Sequence, residues 1–177
     1  MSKTAAKHKE ESPKKLNFAV ITCSTSRYHG LEKGEAIIDV SGDLITKLLE
    51  KSGHSVKLRT LIPDNEKMIV NAIKEAVSRN DVDSVITLGG TGITPSDVTI
   101  EAVQPLIEKG LPGFGELLRK ISYEKIGSPA ILTRAIAGII NRKTVFCLPG
   151  SPQAVEVAAR NLILPEVGHI IKHAREG

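Results

Sequence analysis

The sequence predicts an α/β fold in which a mostly parallel sheet carries an antiparallel hairpin near one edge. Short apolar runs alternate with helical patterns at intervals of about 30 residues, as in right-handed strand–helix–strand units. Turns rich in Gly, Pro, Asp and Asn follow these runs, as is typical where a buried strand reaches the surface. Two apolar stretches within residues 134–150, separated by a polar turn, predict the hairpin.

The first half of the chain supplies the parallel units. Residues 16–23 (LNFAVITC) are an apolar run typical of a buried strand, and the polar residues 24–30 are predicted to form a loop. Apolar residues then recur between Ile37 and Leu49, mostly three or four positions apart, which predicts a helix that ends before Gly53. The remaining elements of this half are a strand at 55–62, a helix with its apolar face from Met68 to Val77, and a strand at 83–90.

The second half is less regular. A helix that contains Pro105 is predicted around 98–108, and another from 113 to 126. The hairpin follows, with its turn at residues 141–143. The last pattern is a long helix, which Pro165 either kinks or divides.

Residues 1–15 are predicted to be a disordered basic tail, and residues 16–177 a single domain. The tail holds five Lys and two Glu, which leaves 19 basic and 18 acidic side chains in the rest of the chain. Because the body is nearly neutral and only 3% of residues are aromatic, nucleic acid is not an expected partner.

Cysteine usage and hydropathy indicate where the protein works. Cys23 and Cys147 are isolated and each ends an apolar run, so both are expected to be buried without a chemical role. No 18-residue apolar span and no secretory signal is found in the sequence. We therefore expect a cytoplasmic protein that does not bind membranes.

Four loops are predicted to meet at one edge of the sheet. In a parallel sheet the carboxyl ends of the strands lie together, and ligands bind there where the strand order reverses. The four loops lie at 24–30, 61–65, 89–97 and 148–152. The third begins with Gly89-Gly90-Thr91-Gly92, whose backbone amides suit a phosphate. It has neither Walker nor dinucleotide spacing, and a tight strand-to-helix turn remains the alternative.

Two aspartates follow prolines in these loops. Asp64 and Asp97 each lie just before a predicted helix, so helix capping is one interpretation of both. The other interpretation is functional. Two carboxylates beside a glycine-lined cleft repel a phosphorylated ligand unless a hard cation lies between them, which makes Mg²⁺ the expected cofactor. Asp39 is a third candidate with the same capping alternative, and Arg134 is a candidate phosphate ligand. The histidines show no ligand spacing supported by acidic neighbours, so no histidine metal site is predicted.

Six short motifs in order resemble the MogA/MoaB molybdopterin adenylyltransferases, a family that also includes the G domain of gephyrin. The resemblance spans roughly residues 16–172. The motifs are DVSG (39–42), LIPD (61–64), GGTG (89–92), SDVT (96–99), PGFGE (112–116) and LPGSP (148–152).

The resemblance implies a three-layer α/β/α sandwich and a nucleotidyl transfer. The terminal phosphate of molybdopterin would attack the α-phosphorus of ATP, giving adenylylated molybdopterin and pyrophosphate. Asp64 and Asp97 would be catalytic and would hold Mg²⁺. The implied substrate-binding residues are Ser24, Gly89, Gly90, Thr91, Gly92, Ser122, Pro149, Gly150 and Ser151. Further candidates are Asp39, Glu116 and Arg134.

One position departs from the family pattern, because Thr25 stands where related proteins often have an aspartate. The resemblance further implies a trimer or hexamer, and contacts with other molybdenum cofactor enzymes. Two alternatives stay open: a non-catalytic pterin-binding or scaffold protein of the MoaB type, and a detached module of the kind found in molybdenum insertases and competence-damage proteins. Fold alone does not decide between them.

Overall fold

The computed structural model describes residues 12–176. The predicted disordered tail falls mainly on residues 1–11, which lie outside the described residues. Residues 12–15 precede the first strand without forming helix or strand, and the carbonyl oxygen of Pro13 would lie 2.7 Å from a Cβ atom at Gly168. Within the described residues, no helix is long and apolar enough to cross a membrane.

Six strands and seven α-helices build the domain that the structure describes. The strands are β1 (Asn17–Cys23), β2 (Ser55–Ile62), β3 (Ser84–Leu88), β4 (Lys109–Gly110), β5 (Ile136–Ile140) and β6 (Lys143–Leu148). The helices are α1 (Thr25–Glu32), α2 (Val40–Lys51), α3 (Glu66–Ser78), α4 (Thr99–Val103), α5 (Pro112–Ile126), α6 (Pro152–Ala158) and α7 (Leu164–Arg175). Short 3₁₀ segments occupy Gln104–Leu106 and Ser128–Leu132, and a π-helical segment occupies Ala159–Ile163.

The sheet has the strand order β2-β1-β3-β6-β5-β4. β2, β1, β3 and β6 are parallel, whereas β5 is antiparallel to both of its neighbours. The predicted mostly parallel sheet with an antiparallel hairpin near one edge is therefore confirmed. The chain leaves β1 toward β2 on one side and returns to β3 on the other, so the order reverses between β1 and β3, where ligands bind in such sheets.

Both faces of the sheet are covered by helices, which confirms the three-layer sandwich. Phe18 and Phe146 lie in the core on one face, together with Leu49 of α2 and Leu118 of α5. A second core on the other face contains side chains from β1, β3, α3 and α4, namely Ala19, Ile21, Ile69, Ile73, Val85 and Ala102. Because successive strand residues point to opposite faces, a strand covered on both sides is apolar throughout, as β3 is buried throughout.

The structure differs from the sequence prediction around β1. Residues 24–30 were expected to form a loop, but Thr25 starts helix α1, whose only buried residue is Gly30. Without an apolar stripe this helix gives no periodic pattern in the sequence. Helix α2 begins at Val40, so Ile37 precedes it, because the side chain of Asp39 caps the helix at the Gly42 amide.

The second half also differs in detail. The predicted helix around 98–108 is shorter, because α4 ends at Val103 and Pro105 lies in the 3₁₀ segment that follows. β4 was not predicted. The hairpin is confirmed, and Asn141 and Arg142 adopt φ angles of 49° and 59° in its two-residue turn. The division of the last helix is also confirmed, because Pro165 lies in the first turn of α7 after the π-helical segment.

Candidate active site

A glycine turn follows β3 at the point where the strand order reverses. Gly90 has a φ of +60°, and a Cβ atom at this position would lie 2.6 Å from Oδ1 of Asp64. Only glycine fits this combination of backbone conformation and close approach. The Gly89 amide donates to the Leu148 carbonyl at 3.0 Å, and the Thr99 amide donates to the Gly90 carbonyl at 2.8 Å. These two bonds fix the turn between the end of β6 and the start of α4.

Asp64 approaches the turn from the end of β2. Its Oδ2 accepts two hydrogen bonds from Thr25, one from the amide at 2.9 Å and one from the hydroxyl at 2.8 Å. The Asp64 amide donates in return to the Thr25 hydroxyl oxygen at 3.0 Å. Oδ1 of Asp64 is buried and has no hydrogen-bond partner among the described residues. One half of this carboxylate is therefore held firmly, and the other half has an unused acceptor.

Asp97 approaches the same turn from the other side. Its Oδ2 accepts from the Thr94 hydroxyl at 2.5 Å and the Thr94 amide at 2.9 Å. A Cβ atom at Gly92 would lie 2.6 Å from this oxygen. The hydrogen bond from the Thr94 hydroxyl outweighs partial burial and, with the positive charge of Arg134, holds the pKa of Asp97 below its ordinary value. Asp97 is therefore ionised at neutral pH.

The turn forms one wall of a cavity of about 630 Å³. This volume lies in the range of small-molecule sites, roughly 300–1,000 Å³. Nine of the predicted site residues line it, namely Gly89, Gly90, Thr91, Gly92, Asp97, Ser122, Pro149, Gly150 and Ser151. The structure therefore brings together three segments that are far apart in the sequence: the glycine turn, the middle of α5 and the loop after β6.

Comparison with known proteins assigns the family. The family model described as "Probable molybdopterin binding domain" matches residues 19–169 of this chain. The chain belongs to this family. The match covers the glycine turn, both aspartates and every segment that lines the cavity.

Several relatives in the molybdopterin-binding family resemble the chain over nearly their whole length. "Molybdenum cofactor biosynthesis protein B" of Bacillus anthracis is 46% identical over 94% of this chain and 95% of its own. "Molybdopterin adenylyltransferase" of Pyrococcus furiosus is 44% identical over 96% of this chain and 97% of its own. The crystal structure of the tungsten cofactor synthesizing protein MoaB from Pyrococcus furiosus is 43% identical, with a TM-score of 0.82 over 93% of this chain and all of that one.

Three of the candidate residues of this molybdopterin-binding domain lie beside the cavity rather than in its lining. Asp64 stands behind Gly90, where its unused oxygen faces the turn. Ser24 precedes Thr25, so it lies next to the residue that holds Asp64. Arg134 donates to the Gly92 carbonyl at 2.6 Å and pairs with Glu101, which braces the turn from outside.

Asp39 lies in a different environment. Its carboxylate accepts from the Gly42 amide at 3.0 Å, the Thr22 hydroxyl at 2.7 Å and Arg59 at 3.1 Å. Partial burial alone would raise the pKa of Asp39, but these three donors together lower it. The geometry is that of a helix cap with an ion pair, which is the alternative that the sequence left open.

Glu116 is not brought to the glycine turn. It lies on α5 and lines a separate cavity of about 460 Å³ with Arg119, beside β4 and β5. The family motif PGFGE thus positions two different features. Its proline and first glycine begin α5, and its glutamate faces the antiparallel part of the sheet.

Two residues of the site were missed by sequence reasoning. Thr25 was noted only as a departure from the family pattern, yet it makes three hydrogen bonds with Asp64. Lys125 lines the cavity from the last turn of α5, and it is the only basic residue in the lining that the structure describes. Its signal in the sequence is its distance of three positions from Ser122, which places both on one side of the helix.

The cysteines carry no chemistry. Both thiols are free and buried, and burial raises the pKa of each to about 12. The predicted burial of Cys23 and Cys147 is confirmed.

Proposed function

We propose that this chain transfers the adenylyl group of ATP to the terminal phosphate of molybdopterin, releasing pyrophosphate. Its similarity to the adenylyltransferase of Pyrococcus furiosus along nearly the whole chain supports this reaction. In the transfer, an oxygen of the molybdopterin phosphate forms a bond to the α-phosphorus, and the bond from that phosphorus to the β-phosphate oxygen breaks. No covalent enzyme intermediate is needed, because positioning and charge stabilisation dominate phosphoryl chemistry.

One observation carries the proposal: Asp64 and Asp97 flank the same glycine turn beside a cavity of ligand size. A turn that fits only glycine lets a phosphate approach the backbone closely. Ser122 and Ser151 add hydroxyl groups to the lining, and Lys125 adds a positive charge. The cavity thus combines donors for phosphate oxygens with carboxylates that suit a hard cation.

The donor set fits magnesium. Among the described residues no cluster of three or more His, Cys, Asp or Glu side chains is arranged to hold a metal, so a bound ion would draw further ligands from phosphate oxygens. The unused buried oxygen of Asp64 and the ionised carboxylate of Asp97 are the residues that would hold it. When bound, Mg²⁺ would neutralise charge on the triphosphate and on the leaving pyrophosphate.

The residues of the chain have separate tasks in this proposal. Thr25 fixes the direction of the Asp64 carboxylate through two donated hydrogen bonds. Arg134 holds the Gly92 carbonyl and so preserves the shape of the turn. Lys125 would contact phosphate oxygens and orient the substrate, since a lysine binds phosphate as a point charge.

The reaction can be tested directly with purified protein, molybdopterin, ATP and MgCl₂. We expect adenylylated molybdopterin and pyrophosphate to form together, and both to disappear in the double variant Asp64→Asn/Asp97→Asn. Asp81→Asn is the matched control, because it removes a surface carboxylate that pairs only with Arg79 among printed side-chain contacts at the far end of β3. Binding of molybdopterin without pyrophosphate release would reject catalysis and favour a scaffold role.

We also propose that the chain assembles into a trimer or hexamer in the cytoplasm. Large apolar side chains that a monomer leaves in water support assembly, since Ile38 is 75% exposed, Ile93 67% and Ile131 84%. Sedimentation equilibrium tests the assembly, and a mass of about 19 kDa at all concentrations would contradict it. The two reduced, buried cysteines are consistent with the cytoplasm.

A further inference from the structure

Two histidines converge on the last helix, away from the glycine turn. His169 and His173 are four positions apart on α7, so they lie on one face of the helix. Their Nε2 atoms are 2.9 Å apart, and their ring centroids are 4.7 Å apart. Arg175, two residues further on, pairs with Asp83 just before β3. The histidine pair therefore lies toward the amino ends of the parallel strands, opposite to the candidate active site.

Each ring is oriented by a carboxylate on its other nitrogen. Nδ1 of His169 lies 3.3 Å from Oε2 of Glu166, and Nδ1 of His173 lies 2.8 Å from Oε2 of Glu176. A metal-binding histidine nearly always donates its second N–H to a carboxylate or carbonyl, which fixes the tautomer and strengthens the ligand nitrogen. Both rings have this partner, so both Nε2 atoms can present a lone pair to one ion.

The spacing of the nitrogens matches a chelate. Two imidazole nitrogens at 2.0–2.1 Å from one ion, at a right angle to each other, are roughly 2.9 Å apart. Right angles between neighbouring ligands are typical of square-planar and tetragonal ions such as Cu²⁺ and Ni²⁺. The tetrahedral angle preferred by Zn²⁺ would need a wider separation, and Mg²⁺ prefers oxygen ligands.

The pair also borders an open space. A cavity of about 590 Å³ is lined by both histidines, Glu108 and Glu176, and it leaves room for further ligands. Lys109 and Arg142 line it too and oppose a cation, whereas Glu108, Glu166 and Glu176 favour one. The side chain of Glu108 already accepts from the Asn141 amide at 2.8 Å, so the nearest carboxylates are those that orient the rings.

We propose that His169 and His173 form a two-nitrogen site for a divalent transition metal ion, with Cu²⁺ and Ni²⁺ bound more tightly than Zn²⁺. The sequence contains the four-residue spacing, but the carboxylates lie at i−3 and i+3, where only the folded helix shows that they orient the rings. The site is independent of the adenylyl transfer proposed above.

Titration calorimetry of the full, untagged chain with NiCl₂ and CuCl₂ in excess MgCl₂ tests the site. We expect one ion per chain, and a loss of affinity of at least about tenfold in each of His169→Ala and His173→Ala, because each variant loses the chelate. His29→Ala is the control, since His29 pairs with Glu32 on a different helix and has no second histidine beside it among the described residues. Wild-type affinity in either α7 variant would overturn the proposal.

Two further measurements guard against trivial outcomes. Electron paramagnetic resonance of the Cu²⁺ complex should show two nitrogen ligands in the wild type and one in His169→Ala. If an alanine variant unfolds, Glu176→Gln keeps both histidines and should still weaken binding. Unchanged affinity and unchanged spectra in Glu176→Gln would count against the oriented pair. Adenylyl transfer with Mg²⁺ should be equal in wild type and His169→Ala, so failure of this site leaves the proposed function intact.

Discussion

Two regions of the molecule hold acidic side chains in loops that precede helices, and they use them differently. At the start of α2, Asp39 has donors on both carboxylate oxygens, from Thr22, the Gly42 amide and Arg59. At the glycine turn, Asp64 has donors on one oxygen only, and its other oxygen is buried without a partner among the described residues. The sequence cannot separate these cases, because both aspartates stand beside a helix start.

The difference has an energetic meaning. A buried acceptor without a partner costs about 1–3 kcal/mol, so a fold rarely keeps one without a reason. The α2 cap is satisfied within the chain and stabilises the fold. The glycine turn keeps an unmet acceptor at the one place where a ligand is expected. Changes at the turn should therefore affect activity more than stability, and changes at the cap should do the reverse.

The largest effect is expected for Asp64→Asn. The amide oxygen can still accept from Thr25, but the negative charge at the turn is lost. We expect adenylyl transfer to fall by at least about a hundredfold, as for loss of a main electrostatic group in other active sites. Initial rates at increasing MgCl₂ concentrations measure this. A variant with the magnesium dependence of the wild type would remove Asp64 from the site.

Asp97→Asn should have the next largest effect. The Thr94 hydroxyl and amide still reach the side-chain oxygen, so the fold should be kept. Loss of the charge should lower transfer by at least about tenfold, which corresponds to about 1.4 kcal/mol in the barrier. Single-turnover rates with a melting curve as control measure it. Wild-type turnover would contradict a catalytic role.

Thr25→Val tests whether Asp64 needs to be positioned. Valine removes the hydroxyl that donates to Asp64 but keeps the backbone amide, so the carboxylate is held by one bond instead of two. We expect kcat to fall about fivefold, which is about 1 kcal/mol, with little change in Tm. Thr25→Ser restores the hydroxyl and should recover the rate. A serine variant as slow as the valine variant would show that packing, not the hydrogen bond, matters.

Asp39→Asn should reverse the pattern. Asparagine still caps α2, but its amide group cannot accept from Thr22 and Arg59 as the carboxylate does. Loss of charge-assisted hydrogen bonds should cost about 1.5 kcal/mol, which lowers Tm by roughly 3–6 °C in a domain of this size. Adenylyl transfer should stay within about twofold of the wild type. A large loss of rate with unchanged Tm would place Asp39 in the active site instead.

The smallest effect concerns His54, on the far side of the cap region. Its Nδ1 accepts from the Leu16 amide at 3.2 Å, and its ring packs edge-on against Phe18. Burial lowers the pKa of His54 below its ordinary value of 6.5. The unfolded chain therefore takes up a proton first as pH falls. The contribution of neutral His54 to stability is complete above pH 6.5 and is lost as pH falls toward the folded-state pKa.

Melting curves at pH 7.5 and 5.5 check this sign. His54→Asn keeps an acceptor for Leu16 but does not titrate, so acidification should lower the Tm of the wild type by roughly 2 °C more than that of the variant. Titration of the other histidines is common to both proteins and cancels in the comparison. Parallel losses in the two proteins would contradict the assignment.

The sequence predicted the framework well where burial sets a clear period. β2 has the predicted bounds, and the hairpin follows from two apolar strands around a polar turn. Helix α1 could not be found, because only Gly30 of its residues is buried and its polar side chains give no helical stripe. β4 could not be found either, because a two-residue strand is defined by its pairing with β5 and not by its own residues.

The site was predictable in outline for a topological reason. Loops at the carboxyl ends of parallel strands meet, so Asp64, Asp97 and Gly89–Gly92 could be expected together. Side-chain pairing could not be expected, because Thr25 and Asp64 are 39 positions apart and depend on the parallel pairing of β1 with β2. Glu116 shows the converse, since a motif residue lies on a different cavity once α5 is folded.

Neither margin of the sheet invites a further strand from another molecule. β4 offers two residues and includes Lys109, while β2 at the opposite margin exposes Lys57 and Arg59. A very short outer strand and a row of cationic side chains both discourage intermolecular strand pairing. The protein should therefore stay free of cross-β fibrils even when it is concentrated.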